Sequence, residues 1–487
     1  MKKIHWIAGA LAPALLSACA LQAPPAAVSA NAPSQWFATQ PAQSNSPGLA
    51  HGGQLTDLTR WWQQQGDPLL VELISSAQAV SPTVATARSR IEQARASRVA
   101  AGAALLPSLD ATASASRGRT QPGSGTGVAP VTTTTQAGLQ SAWEIDVFGG
   151  RLAGRDAASE RLAGARAQWH DARVSVAAEV ANQYYSLRTC RQLAAVTQAD
   201  AASRGETARL SGLSTQAGFT APATDALARA SAAEANARAT QQRAQCELDL
   251  KALVALTGMA EPDIRQKVAA APELVEPAAT ISIAAVPADA LSQRPDVFNA
   301  EREVAAASAD VGNAQAQRYP RLSLSGTIGN SRFRAGGVTT TLDTWSIGPL
   351  ALSLPLFDGG RRAADVDAAQ SRYEEAAALY RARVRQAVRE VEEALVNLQS
   401  SAARGEDARV AAEGYIASFA GTEARYKSGL ASLLELEDAR RTQLAAETAL
   451  LSLRRERASA WVALYRALGG GWTPALDKGT EAPATRP

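Results

Sequence analysis

The stretch Leu356-Phe357-Asp358-Gly359-Gly360-Arg361 has a shortened echo at Val147-Phe148-Gly149-Gly150-Arg151. Tandem glycines let a chain turn sharply at little steric cost, so either stretch alone reads as a plain turn. The surroundings decide otherwise. Upstream, Pro82, Val84, Ala87, Ile91, Pro107 and Leu109 recur 213 residues later as Pro295, Val297, Ala300, Val304, Pro320 and Leu322. The Gly-Arg pair itself recurs after 210 residues. Downstream, AGFTAPATDALARA from Ala217 matches SGLASLLELEDARR from Ser428, and LVALTG ending at Gly258 matches LYRALG ending at Gly469, both 211 residues on. Four landmarks in one order at a nearly constant offset identify a tandem duplication.

Each copy has the same grammar. Pro82 and Pro295 open a helix at its first turn, where the missing N–H costs nothing. Pro107 and Pro320 end that helix and begin an alternating stretch. A Gly/Ser/Thr-rich loop is expected at 117–135 and at 332–343, followed by a second alternating stretch. Leu139, Trp143, Ile145 and Val147 carry it in copy one, and Leu350, Leu352, Leu354 and Leu356 in copy two. The expected strands are about 107–117 and 136–148, then about 320–332 and 344–357. Each is long enough to cross a bilayer when tilted. The opening glycines (Gly149, Gly150, Gly359, Gly360) then mark the strand-to-helix junctions. Beyond them, 151–216 and 361–428 lack proline and read as helices about 100 Å long at 1.5 Å per residue. Gly218 and Gly429 turn the chain into return helices. Repeat 1 thus spans 61–258, with its helical hairpin at 151–258. Repeat 2 spans 294–469, with its hairpin at 361–469. A connector (259–293) joins them, and a tail (470–487) follows.

The chain begins with a targeting segment. Lys2 and Lys3 precede a short apolar run, Ile4 to Leu16, too short for a stop-transfer helix. The run leads into Leu16-Ser17-Ala18-Cys19, the pattern of a bacterial lipoprotein signal (1–18) whose cysteine is acylated with palmitate-type chains. Ala20 follows rather than aspartate, which resembles lipoproteins forwarded to the outer membrane. Residues 19–60 read as a lipid-anchored extended leader, rich in Ala, Pro, Ser and Gln. Of 49 basic residues, Lys2 and Lys3 leave with the signal, so 47 stand against 46 acidic ones. That near-neutral balance gives no sign of a nucleic-acid partner. The three histidines, His5, His51 and His170, have no metal spacing. No Gly-x-Ser-x-Gly or phosphate loop is present, so neither an enzyme nor a cofactor is expected. Gly123, Gly125 and Gly127 fall in a loop between strands.

Four bilayer-length strands cannot close a barrel alone, because unpaired edges in lipid are prohibitive. Several chains must share one barrel. A purely structural coiled-coil lipoprotein would account for the helices but not for these strands. The chain resembles the outer membrane factor family of TolC, and its lipoprotein branch that includes OprM. The resemblance runs from about Trp61 to Trp472 and includes the lipobox. It is carried by the duplication, DPLL at Asp67, RPDV at Arg294, the two Gly-Gly-Arg junctions, ALTG at Ala255 and RYKSGLASLLELEDARR at Arg425. It implies an α+β membrane protein: a homotrimer with a 12-strand transmembrane β-barrel continuous with a 12-helix periplasmic α-barrel. An equatorial collar would come from 20–80, 259–293 and 470–487.

The implied function is the outer membrane exit channel of a tripartite efflux system in a Gram-negative bacterium, passively conducting drugs or other small toxic compounds. Its partners would be a periplasmic membrane-fusion adaptor, an inner-membrane transporter of the RND type and outer membrane lipids. A type I secretion duct exporting proteins is the alternative. The resemblance assigns Leu434, Asp438 and Arg441 to a periplasmic gate. Their i,i+4 and i,i+3 spacing puts them on one helix face, which would equally suit a surface ion pair worth a few tenths of a kcal/mol. It assigns the tips Gly218, Phe219, Gly429 and Leu430 to the adaptor. Cys190 lies 28 residues before Gly218 and Cys246 lies 28 after it, so an antiparallel hairpin sets them level. In an oxidising periplasm they are expected to form a disulfide.

Overall fold

Two prolines and one glycine pair per repeat set the segment boundaries, and the secondary structure follows them. The computed structural model describes residues 22–38, 60–119, 131–271 and 291–473. Cys19, the loop at 120–130, most of the connector and most of the tail lie outside these residues. In chain order come α1 (Trp61–Gln64), α2 (Pro68–Val80), α3 (Pro82–Ala103), β1 (Ser108–Arg119), β2 (Val131–Ile145), α4 (Gly150–Gln216), α5 (Pro222–Thr257) and α6 (Glu261–Ala270). Then follow α7 (Pro295–Ala316), β3 (Arg321–Ala335), β4 (Val338–Ser353), α8 (Arg361–Lys427) and α9 (Leu433–Ala467), closed by a 3-10 turn at Gly469–Gly471. Helices α4 and α8 have 67 residues each. Among the described residues no helix is long and apolar enough to cross a membrane.

The chain divides into two units. One takes the residues up to Ala30, Ser89–Ala165 and Asn299–Arg381. Its centre is an antiparallel sheet in the order β1-β2-β3-β4. Residues paired across the strands share a face, so the register sorts every side chain. One face carries Leu109, Leu139, Trp143, Ile145, Leu322, Leu324, Ile328, Trp345, Ile347, Leu350 and Leu352. The other carries Ser108, Asp110, Thr112, Gln136, Gln140, Ser323, Ser325 and Thr327. Strands β1 and β4 are the sheet's edges.

Several strand boundaries correct the sequence reading. Residues 332–343 are not a loop: β3 continues to Ala335 and β4 begins at Val338. The turn between them is only Gly336-Gly337, with φ of 56° and 88°. A two-residue hairpin of the right twist needs positive φ at both positions, and the β-branched run Val338 to Thr341 favours strand on the far side. Likewise β2 is displaced from the expected 136–148 to 131–145, taking in Thr132 to Thr135, and β4 ends at Ser353 rather than at 357. Val147, Leu354 and Leu356 therefore stand outside the sheet.

The extended leader is strapped onto this unit. The carbonyl oxygens of Gln22, Pro24, Pro25 and Ser29 accept hydrogen bonds from Gln315, Ser308, Tyr373 and Arg381, at 3.0, 2.5, 2.9 and 3.3 Å. Extended backbone has no internal partners, so these side chains satisfy carbonyls that would otherwise face only water.

The second unit takes Asn31–Arg88, Arg166–Phe298 and the chain from Ala382 onward. Its bulk is concentrated in one place. Trp61 stacks on Tyr465 at 5.1 Å and Trp62 meets the same ring edge-on at 4.8 Å. Leu70, Leu73, Val180, Tyr184, Leu253, Ile264, Leu395 and Leu464 complete that core. Burial pushes the Tyr465 hydroxyl up to about 12. The two quoted motifs work here. Asp67 of DPLL caps α2 by accepting from the Leu70 N–H at 3.1 Å and also receives the Tyr184 hydroxyl at 2.6 Å. Arg294 of RPDV is buried, donating to Asp296 and Glu390 at 2.7 Å and to the Ala467 carbonyl at 2.8 Å. Elsewhere the helices meet through small residues such as Ala201, Ala235 and Ala239.

Candidate functional site

The hairpin turns use one device twice. At the end of α4, the Phe219 N–H bonds the Ser214 carbonyl at 2.9 Å and the Gly218 N–H bonds Thr215 at 3.0 Å. At the end of α8, Leu430 bonds Arg425 at 2.8 Å and Gly429 bonds Tyr426 at 3.0 Å. This paired 6→1 and 5→2 pattern is the Schellman cap, and it requires a left-handed residue. Gly218 and Gly429 supply it at φ 81° and 73°. A Schellman cap normally tucks its next residue against the helix. Here Phe219 and Leu430 stand out instead, 86% and 70% exposed.

The return helices start differently. Pro222 opens α5 after Ala221, which offers no side-chain cap. Ser432 caps α9 in a full capping box: its hydroxyl accepts from the Glu435 N–H at 3.2 Å, and Glu435 accepts from the Ser432 N–H at 2.7 Å.

Leu434, Asp438 and Arg441 share one exposed face of α9, and Asp438 pairs with Arg441 within the helix. The opposite face holds what sequence reasoning missed. Leu433, Leu436 and Arg440 are buried there at spacings of three and four, a periodicity legible in the sequence. Arg440 donates to Glu437 at 2.8 Å, to Ser203 at 2.9 Å and to Thr207 at 3.2 Å, and its guanidinium lies 5.4 Å from the Phe419 ring centre. Glu437 also accepts from Ser231 at 2.6 Å and pairs with Arg204. Arg204 in turn donates to Asp200 at 2.9 Å and to Ser231 at 2.6 Å. Burial holds the Arg440 guanidinium below its usual range, opposed by the Glu437 charge. One buried polar cluster thus joins α4, α5 and α9, with α8 supplying its aromatic lid. Charged groups this far from water stay only because each is paired.

Higher on the first hairpin, Cys190 and Cys246 are joined in a disulfide with Cα atoms 5.5 Å apart. At the junctions, the glycines are accompanied by an acid that the sequence reading left unused. Asp146 accepts from the N–H groups of Arg151 and Leu152 at 3.1 and 2.7 Å. Asp358 accepts from those of Gly360 and Arg362 at 3.0 and 3.2 Å. A carboxylate at a helix N-terminus satisfies orphan donors and opposes the helix dipole.

The outer membrane efflux protein family model matches residues 73–259 and 286–470. The pyoverdine export outer membrane protein OpmQ of Pseudomonas aeruginosa is 31% identical over 484 residues, covering 97% of each chain. The solvent efflux pump outer membrane protein SrpC of Pseudomonas putida is 30% identical, covering 89% of this chain and 93% of its own. The fold matches the crystal structure of the Campylobacter jejuni CmeC outer membrane channel with a TM-score of 0.80 at 25% identity, over 86% of this chain and 90% of that one.

Proposed function

Because the chain belongs to the outer membrane efflux protein family, we propose that it forms the outer membrane exit channel of a tripartite efflux system. The active form is a homotrimer. Three four-stranded sheets close a 12-strand barrel, and three pairs of hairpins form a 12-helix tube in the periplasm. The observation that carries this reading is the sheet. Its one continuous apolar face suits lipid, its polar face suits a wet lumen, and its β1 and β4 edges need partners. Pairing β1 of one chain with β4 of the next satisfies both edges.

The cargo consists of small compounds, of the kind that the solvent efflux and pyoverdine export relatives are named for. An inner-membrane transporter of the RND type and a periplasmic adaptor deliver it, and the duct itself does no chemistry. The exposed Phe219 and Leu430 tips receive the adaptor. Leu434 and Asp438 from three chains face one another at the periplasmic end and close it. The Asp438–Arg441 pair steers that face. Acylated Cys19 anchors the leader. The strap supports this, since Gln22 bonds Gln315, five residues before Pro320 leads into β3. Cys19 lies three residues before Gln22 in the sequence.

The test is single-channel conductance of the purified full-length protein in a planar bilayer, beside Asp438→Ala/Arg441→Ala. Small flickering steps that grow severalfold in the double variant are expected. Wide conductance in both would remove the gate from these residues. Silence from a folded trimer would overturn the channel.

A further inference from the structure

The lipid-facing side of the sheet does not end as the lumenal side does. From the helix-proximal end its rows run Ile145–Leu322–Leu352, Trp143–Leu324–Leu350, Leu109–Ser141–Gly326–Ile347 and Ala111–Leu139–Ile328–Trp345. The next row is Ala113–Ala137–Asn330–Asp343. Beyond it the same face carries Arg332, then Arg117 and Arg334 in one row on either side of Thr133, then Arg119. All four arginines are exposed. Among the described residues none of them is ion-paired. The only acid on this end of the face is Asp343, which is taken by the Asn330 amide at 2.6 Å. The opposite face of the same rows is uncharged: Ser114, Ser116, Thr132, Thr134, Ser331 and Phe333. The connecting loop 120–130 has no charged residue either.

Height decides what these cations meet. Arg332 lies ten residues beyond Leu322, about 34 Å along a strand at 3.4 Å per residue. At a tilt of about 40° that is about 26 Å of height, the top of a lipid-facing band about 25 Å tall. Ending an apolar band requires only polarity, which hydroxyls such as those of Thr133, Thr135 and Thr341 on the same face already supply. Four guanidiniums against a single carboxylate instead make a cationic patch at headgroup level. Strands two apart are separated by about 10 Å, so Arg117 and Arg334 can grip one headgroup between them. Guanidinium is the side chain suited to bidentate contact with phosphate.

Resting on the channel reading above, which puts the helices in the periplasm and hence the helix-distal end of the sheet at the outer leaflet, we propose that Arg117, Arg119, Arg332 and Arg334 form a binding site for the phosphates of an anionic glycolipid of the lipid A class in the outer leaflet. The site holds the barrel in its membrane and contributes nothing to the lumen.

The test uses the purified full-length trimer with two probes, bisphosphorylated lipid A and the same lipid stripped of its phosphates. Binding is read by native mass spectrometry and by thermal shift. At least tenfold tighter binding of the phosphorylated lipid is expected, weakening as salt rises. That preference is expected to disappear in R117Q/R119Q/R332Q/R334Q. Equal binding of both lipids by the unsubstituted protein would overturn the site, and that result needs no variant to fold. Membrane fractionation separates the two readings. A protein that reaches the outer membrane and conducts, yet binds both lipids alike, loses only this site. A protein absent from the outer membrane loses both.

Discussion

The two helical hairpins share a backbone and differ in what holds them. Each has a 67-residue outgoing helix, a Schellman turn on a left-handed glycine and a return helix of 36 or 35 residues. The first is braced internally, by the Cys190–Cys246 disulfide and by proline at the start of α5. The second has no cysteine. It is capped by Ser432 and Glu435, and its half-buried Glu437 and buried Arg440 are bound to side chains of the first hairpin. Duplication therefore preserved the geometry while the locks diverged. One hairpin is stiff by itself. The other has no covalent brace and is held by apolar packing, as at Leu433 and Leu436 against Ala228, and by polar contacts that can be exchanged without breaking a covalent bond. If the tube opens at its tips, the second hairpin is the one built to move.

The largest expected effect breaks the brace. Cys190→Ser/Cys246→Ser opens a loop of about 57 residues, about 4 kcal/mol in the loop-entropy model. The trimer should unfold at clearly lower denaturant, while channel conductance stays as it was. A conductance change would mean the first hairpin also moves. Next comes the polar cluster. Glu437→Gln leaves Arg204 and Arg440 buried against each other without their shared anion. Breaking a buried pair by removing one partner costs about 3 kcal/mol. Here lower stability should come with larger conductance, since the second hairpin loses its hold on the first. Lower stability with unchanged conductance would assign the cluster to folding alone.

How much of this was legible beforehand depends on the kind of signal. Period and punctuation were. Pro82 and Pro295 open α3 and α7 at their first residue, both helices end four residues before Pro107 and Pro320, and the level cysteines announced their pairing by distance from Gly218. Composition misled at 332–343, where glycine and threonine suggested a loop. Two glycines at positive φ make the tightest of turns, and threonine is a strand former. At the site, attention went to Asp438 and Arg441 because the resemblance named them. The equivalent i,i+3 pair one residue earlier, Glu437 and Arg440, looks the same in sequence. Only its alignment with Leu433 and Leu436 marked it as inward-facing, and its partners Ser203, Arg204, Thr207 and Ser231 lie some 200 residues away. No local pattern could supply them.

The smallest effect probes the start of α9. Ser432→Ala removes one capping hydroxyl and strands the Glu435 side chain of the box, about 1 kcal/mol at an exposed helix end. The matching position of the first hairpin is Ala221, which lacks a capping side chain. Ala221→Ser should therefore stabilise α5 by less than the Ser432 change destabilises α9, because Pro222 has already fixed the entry there. Hydrogen exchange at the first turn of each return helix reads this directly. Faster exchange confined to Leu434 through Leu436 in Ser432→Ala, with Thr224 through Ala226 little altered in Ala221→Ser, would fit a capped, polar-locked hairpin beside a covalently locked one. Equal responses would mean that the two return helices are held alike and that the difference between their locks is without mechanical consequence.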